Sequence, residues 1–168
     1  VIAPIDIYPL MEHRKRAIRG MSRPDYLTYL GEVLTPLANA ARVNPFTMFE
    51  NVPEPDEIAL VSGRNRVVGD PHLKSMVAKD GVNQSAAVLV MSFDLASELG
   101  LADKAVFLRG FAEASEQALL DRPELSTSPA LRWAYDNAVA SSGLSVSDIE
   151  AFDLYSCFPV AVQMFAKS

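Results

Sequence analysis

Apolar and polar positions follow one pattern in the first part of the chain and another in the second. Between residues 23 and 44, Leu27, Leu30, Leu34, Leu37 and Ala41 recur at helical spacing, which predicts an amphipathic helix. Ser22 stands at its N-cap, and Asp25, three residues on, completes a capping pair. Pro36 is expected to kink or break this helix, and Asn44-Pro45 to end it. Residues 1–21 read as a leading loop with a basic stretch, His13-Arg14-Lys15-Arg16, whose usual fate is a solvated surface turn. Residues 46–75 are irregular. Pro53-Glu54-Pro55-Asp56 and Gly69-Asp70-Pro71 read as turns, and residues 57–61 as a short helix or a short strand. An irregular stretch of this length points to a functional or packing role.

Beyond Gly81 the pattern becomes strand, helix, strand, helix, strand, helix. Ala86-Ala87-Val88-Leu89-Val90-Met91 is a continuous apolar run, short and partly β-branched, which predicts a strand buried on both faces. Ser92 caps a helix over residues 93–99, stopped by Gly100. Residues 105–109 read as the next strand and residues 110–128 as a long polar excursion. Ser128-Pro129 opens a further helix whose stripe is Leu131, Tyr135, Ala138 and Ser142, with Ala134 beside it and Gly143 as terminator. Helical spacing makes Trp133 and Tyr135 packing residues. Ser145 and Asp148 form a second capping pair. Residues 151–155 read as a strand, and Pro159 begins a final helix, at a position where its missing N–H costs nothing. This alternation implies an α/β fold with a largely parallel sheet covered on both sides. Three strands cannot cover their own edges, so neighbouring strands are expected from outside the chain.

Composition narrows the function classes. The chain has 168 residues, 49% apolar and 21% charged, which suits one domain or a large part of a bigger one and argues against disorder. A net charge of −6 leaves no electrostatic footprint for nucleic acid and disfavours anionic membrane surfaces. One cysteine, Cys157, excludes an internal disulfide and a cysteine-built metal site. His13 and His72 sit in no metal-ligand spacing, so no metal is expected. No apolar run reaches membrane-spanning length and no signal peptide is visible, so a cytoplasmic location is the default. Val1 opens what reads as mid-sequence, and the helix from Pro159 reads as newly begun near residue 166; the chain is expected to be a piece of a larger protein.

Two segments carry a family resemblance. Lys79-Asp80-Gly81-Val82-Asn83-Gln84-Ser85-Ala86-Ala87-Val88-Leu89-Val90-Met91-Ser92 resembles the thiolase superfamily segment N-A-S-G-x-N-D-G-A-A-A-V-L-L-M-S. Gly81, Asn83, Ala86 and Ala87 match, and residues 94–101 resemble the "A…LG" helix that follows. Asp148-Ile149-Glu150, then Asp153-Leu154-Tyr155-Ser156-Cys157-Phe158-Pro159, resembles the acidic turn and strand that end in N-E-A-F in thiolases and in H-D-C-F in the branch linked to sterol carrier proteins. The resemblance is closest to acetyl-CoA acetyltransferase-like and thiolase-like bacterial proteins and covers about residues 60–166.

The resemblance implies a partial thiolase fold of layered α-β-α-β-α type. Residues 1–75 would be the loop-domain insertion, 76–104 the last strand and helix of the first half, and 105–168 the start of the second half. It also implies acyl transfer or condensation between coenzyme A thioesters, with CoA thioester as substrate and no resident cofactor. The nucleophilic cysteine, the activating histidine and the second cysteine of the family match no residue here, so the chain alone is expected to be inactive. Asp80 falls on a family serine that contacts pantetheine, with Gly81 beside it. Asn83-Gln84-Ser85 replaces N-D-G. Tyr155 falls on the asparagine or histidine of an oxyanion hole, where a phenol can still donate. Cys157 is expected to line the site rather than attack. His72 and Lys74 are candidates to face CoA phosphates. Expected partners are acyl-CoA, the remainder of the thiolase fold, and a homodimer partner or small subunit. A non-condensing CoA-binding subunit, or a retro-aldolase on steroid-type acyl-CoA, is the alternative that Asp80, Gln84 and Tyr155 leave open.

Overall fold

A computed structural model of the chain describes residues 3–49, 51–79 and 81–166. Its first element corrects the expected leading loop: Pro4–Ile18 is a helix, α1. Pro4 sits at the helix start, Asp6 lies in the first turn, and Lys15 and Arg16 lie in the last, all of which favour a helix and match its dipole. Tyr8, Met11, Glu12 and Lys15, spaced at i, i+3, i+4 and i+7, share one face. Met11, Glu12 and Lys15 on that face are buried. The basic stretch is therefore no free surface turn. His13 bonds Asp70 at 2.9 Å, Arg14 grips Glu124, Lys15 donates to the Gln163 carbonyl at 3.2 Å, and Arg16 donates to the Met21 carbonyl at 2.9 Å.

The second helix, α2 (Arg23–Val43), begins at Ser22 as expected. The Ser22 hydroxyl accepts the Asp25 N–H at 3.3 Å and donates to the Asp25 carboxylate at 2.5 Å. It runs through Pro36 without ending, so of the expected kink or break the break does not occur. Leu34 and Ala38, on either side of Pro36, pack against the core and hold the helix across the missing bond. Gly31 lets the short helix α3 (Pro55–Ile58) approach; a Cβ there would lie 2.9 Å from the Ala59 Cβ. Strands β1 (Val67–Gly69) and β2 (His72–Leu73) form an antiparallel hairpin around the Asp70-Pro71 turn, whose peptide bond is cis. Asp70 in this turn accepts from His13 of α1 and from Arg23 of α2, so one carboxylate ties three elements together.

In the second half the helices form where capping and periodicity place them. Helix α4 (Phe93–Glu98) is capped by Ser92, and Gly100 follows in the left-handed region at φ +69°. Helix α5 (Pro129–Ser142) is capped by Ser128, whose hydroxyl accepts the Leu131 N–H at 3.2 Å. Gly143 closes it at φ +71°. Helix α6 (Pro159–Phe165) starts at its proline. Ser145 and Asp148 form the expected reciprocal cap around a single 3-10 turn.

The three expected strands do not form a ladder. Residues 86–91, 105–109 and 151–155 pair with no neighbour, and among the described residues the β1–β2 hairpin is the sheet. The physical reason lies in the backbone: a strand satisfies its N–H and C=O groups on an adjacent strand, and none lies beside these runs. Their side chains stay in solvent, Val90 at 94% exposure and Val106 at 96%. The fold is thus mixed and helix-dominated with a small sheet, not a two-side-covered parallel sheet within this chain.

Two cores stabilise the first part. Tyr26, Leu30, Ile58, Leu73 and Met76 form one between α2, α3 and the hairpin. Met11, Phe158, Val160 and Met164 form the other, joining α1 to α6 across most of the chain length. Trp133 lies half-exposed and so is not the packing residue its spacing predicts. Tyr135 does pack, edge-on to Phe165 at 5.0 Å.

Candidate functional site

The segment before α6 brings the two motif regions together. The Ala78 N–H donates to the Cys157 carbonyl at 3.0 Å, which places the start of the first motif against the end of the second. Asp80 lies outside the described residues. Gly81 is exposed, and a Cβ there would meet open space, so its backbone is open to a ligand from that side. Tyr155 and Cys157 are both exposed, Tyr155 at 78%, with the phenol oxygen 3.5 Å from the thiol sulfur. That contact raises the Tyr155 pKa above its usual value, so the phenol keeps its proton at neutral pH and is able to donate it in a hydrogen bond. Tyr155 and Ser156 line a cavity of about 440 Å³ with Tyr135, Phe152 and Phe165. The two positions expected to belong to one site, Tyr155 and Cys157, are thus adjacent.

Lys74 and His72 part company. Lys74 is exposed and lines a wide cavity of about 1140 Å³ with Arg64, Asn65, Phe49 and Lys79. The Lys79 ammonium sits 4.4 Å from the centre of the Phe49 ring, a cation–π contact that leaves it at the cavity wall. His72, by contrast, is fully buried, so it does not face solvent phosphates beside Lys74 as expected. Both residues of β2, His72 and Leu73, are buried, and Lys74, which opens the 3-10 turn after the strand, is the first to face solvent.

His72 belongs instead to a buried polar cluster that sequence reasoning missed. Its Nε2 lies 2.9 Å from Glu12 Oε2. Glu12 Oε1 accepts from the Tyr26 hydroxyl at 2.6 Å and from Gln163 Nε2 at 2.7 Å. Glu12 is itself fully buried, so these donors replace water around the carboxylate. Burial, reinforced by the Glu12 charge, pushes the Tyr26 phenol well above its usual pKa. Gln163 Oε1 accepts in turn from Tyr29 at 3.3 Å. Since the carboxylate accepts, the network assigns the imidazole proton to Nε2, leaving Nδ1 without a hydrogen-bond partner. The local signal is that Glu12 and Lys15 share the stripe of α1 that carries Tyr8 and Met11. Asn65 was also missed. Its side-chain amide donates to the carbonyls of Glu57, Ile58 and Leu60, and its carbonyl accepts the Ser75 N–H at 2.9 Å. It thereby shapes the cavity wall that carries Lys74.

Among the described residues there is no cluster of histidine, cysteine, aspartate or glutamate able to hold a metal ion, and no helix long and apolar enough to cross a membrane. No family model matches the sequence, and no curated protein does either. Among solved structures, the chain is similar to a monomeric SCP2-thiolase like protein type 1 from Mycobacterium smegmatis, with a TM-score of 0.89 and 38% sequence identity. The match takes in 99% of this chain but 37% of that one, so the chain spans little more than a third of the length of its structural relative.

Proposed function

With a thiolase-like fold as the premise, we propose that this chain is the CoA-cradling and oxyanion-bearing part of a thiolase-like acyltransferase acting on acyl-CoA thioesters. The observation that carries the reading is the Ala78–Cys157 bond, which ties the chain just before Gly81 to the chain just after Tyr155. Gly81 would take the pantetheine arm, with Asp80 as its polar neighbour. The phenol of Tyr155 would donate to the thioester oxygen as negative charge develops there, the usual task of an oxyanion donor. Lys74, with Arg64 and Lys79 on the same cavity wall, would meet the phosphates of CoA as point charges. His72 has no part in this contact. Cys157 lines the site without acting as nucleophile; the nucleophilic thiolate, activating histidine and second cysteine would come from the rest of a thiolase fold.

That remainder is the partner this reading requires. The apolar runs over 86–91 and 105–109 are extended, exposed and unpaired, which is the state of sheet strands awaiting neighbours. A non-condensing role is the second reading. It is favoured by Tyr155 itself, a longer donor than asparagine or histidine and one already engaged with a thiol.

Calorimetry of the full-length protein with acetyl-CoA tests the first reading. Micromolar binding that weakens about tenfold in Lys74→Ala is expected, roughly the loss of one charged contact. No CoA affinity would refute it. Thiolysis of acetoacetyl-CoA by the same protein separates the two readings: turnover supports the acyltransferase, and binding without turnover supports the non-condensing form.

A further inference from the structure

The Glu12 carboxylate touches no solvent, and it joins three elements, two of which, α2 and α6, also meet directly where Tyr29 donates to Gln163 at 3.3 Å. Its donors are Tyr26 of α2, His72 of β2 and Gln163 of α6. Gln163 lies in the second turn of α6, the helix that begins directly after the candidate site segment. Phe158, the residue following Cys157, is fixed on both sides. It stacks on Tyr8 of α1 at 4.4 Å with 6° between the rings, and it leans on the His72 ring at 5.4 Å. Glu12 and Phe158 therefore share one contact, His72 of β2, and Phe158 rests on Tyr8, one turn before Glu12 on α1.

We propose that Glu12 is a positioning residue for the candidate site: through Gln163 and His72 it sets where α6 begins, and hence where Tyr155 and Cys157 stand relative to Ala78. It acts on the oxyanion position without touching substrate. The inference rests on the reading of Tyr155 as part of the site, but its geometric core does not depend on acyl chemistry.

A carboxylate suits this role because all three partners donate. Glu12→Gln would turn an NH2 group toward one of them, and the His72 side can adapt by moving its proton from Nε2 to Nδ1. Gln163→Met keeps the length and volume of the side chain while removing its bonds to Glu12 and to Tyr29, so it cuts the side-chain ties of α6 to both α1 and α2.

Residue-resolved hydrogen exchange on the full-length protein tests the proposal, because the Ala78 amide is held by the Cys157 carbonyl. In Gln163→Met the Ala78 amide is expected to exchange roughly tenfold faster, and in Glu12→Gln by a smaller factor because the His72 tautomer adapts, while the amides of α2 change less than about twofold. Unchanged Ala78 exchange overturns the proposal. So does uniform acceleration, or loss of folding in Gln163→Met, since either would make the cluster a general structural support. If Glu12→Gln alone fails to fold, Gln163→Met still decides. Where the protein turns over acyl-CoA, the same variants are expected to lower kcat with KM held. Failure of the unsubstituted protein to bind CoA would remove the acyl-CoA reading and leave the exchange result standing.

Discussion

The region around Glu12 and the region from 81 to 156 are both rich in apolar residues, and they fare differently. In the first, Leu30, Leu73, Val160 and Tyr26 are essentially removed from solvent, and the buried carboxylate has three donors. In the second, Leu89 is 80% exposed, and no side chain of α5 is buried. The helices of the second region are as well capped as those of the first. Local structure is therefore not what separates them. The first region finds its partners within the chain, whereas the apolar runs of the second, over 86–91 and 105–109, lie largely exposed and without a strand partner among the described residues.

The sharpest way to break that comparison is a pair of truncations. Leu30→Ala is expected to lower stability by about 2–5 kcal/mol, the range for a leucine cut back in a packed core. Leu89→Ala, in the chain by itself, is expected to stay within about 0.5 kcal/mol, as for surface changes. Urea midpoints measure both, and equal losses would show that the 86–91 run is packed after all.

A smaller effect is expected where the second region does make a close contact. A Cβ on Gly110 would lie 2.5 Å from the Ala138 carbonyl oxygen and 2.7 Å from the Ser141 hydroxyl. Gly110→Ala should push the 105–110 segment off α5, at a cost of about 1–3 kcal/mol typical of overpacking. Loss of the fluorescence change of Trp133 on α5, with α2 still intact by hydrogen exchange, would locate the damage; an unperturbed variant would mean that the segment does not dock there.

The smallest effect concerns the tie between the regions. Arg14 of α1 donates to Glu124 at 2.7 and 3.0 Å and holds its carboxyl at about 2, below the ordinary 4.5. A depressed folded-state pKa gives stability that is present above the unfolded pKa and lost as pH falls toward the folded one. Wild type is thus expected to exceed Glu124→Gln in melting temperature at pH 6. The gap should narrow below about pH 4.5, close near pH 2, and shrink in high salt because the pair is solvent-screened. A gap that persists at pH 2 would contradict the ion pair as its source.

Much of the local structure is legible in the sequence because its signals are local. Ser22, Ser92 and Ser128 cap the helices they precede, and Gly100 and Gly143 end the ones they follow. Helix α1 was equally readable from Pro4, Asp6 and the 8, 11, 12, 15 stripe, but its basic run suggests solvent when read by charge alone. The extended runs are legible as apolar segments, yet pairing depends on strands far away or outside the chain. The Glu12 cluster is illegible for the same reason: Glu12 and Gln163 are 151 residues apart, and nothing near either one names the other. Of the candidate site, the Tyr155 phenol and the Cys157 thiol lie 3.5 Å apart, while His72 is buried against Glu12, a partner 60 residues away that nothing beside His72 announces.

The central proposal is that residues 86–91 and 105–109 become strands of a thiolase-like sheet when neighbouring strands are supplied from outside this chain. Amide exchange of these residues tests it most directly, compared between the chain alone and the same segment within a longer protein that supplies the rest of the sheet. The account predicts near-unprotected exchange in the chain alone and strong protection in the longer protein. Protection already present in the chain alone, or fast exchange in both, would contradict it.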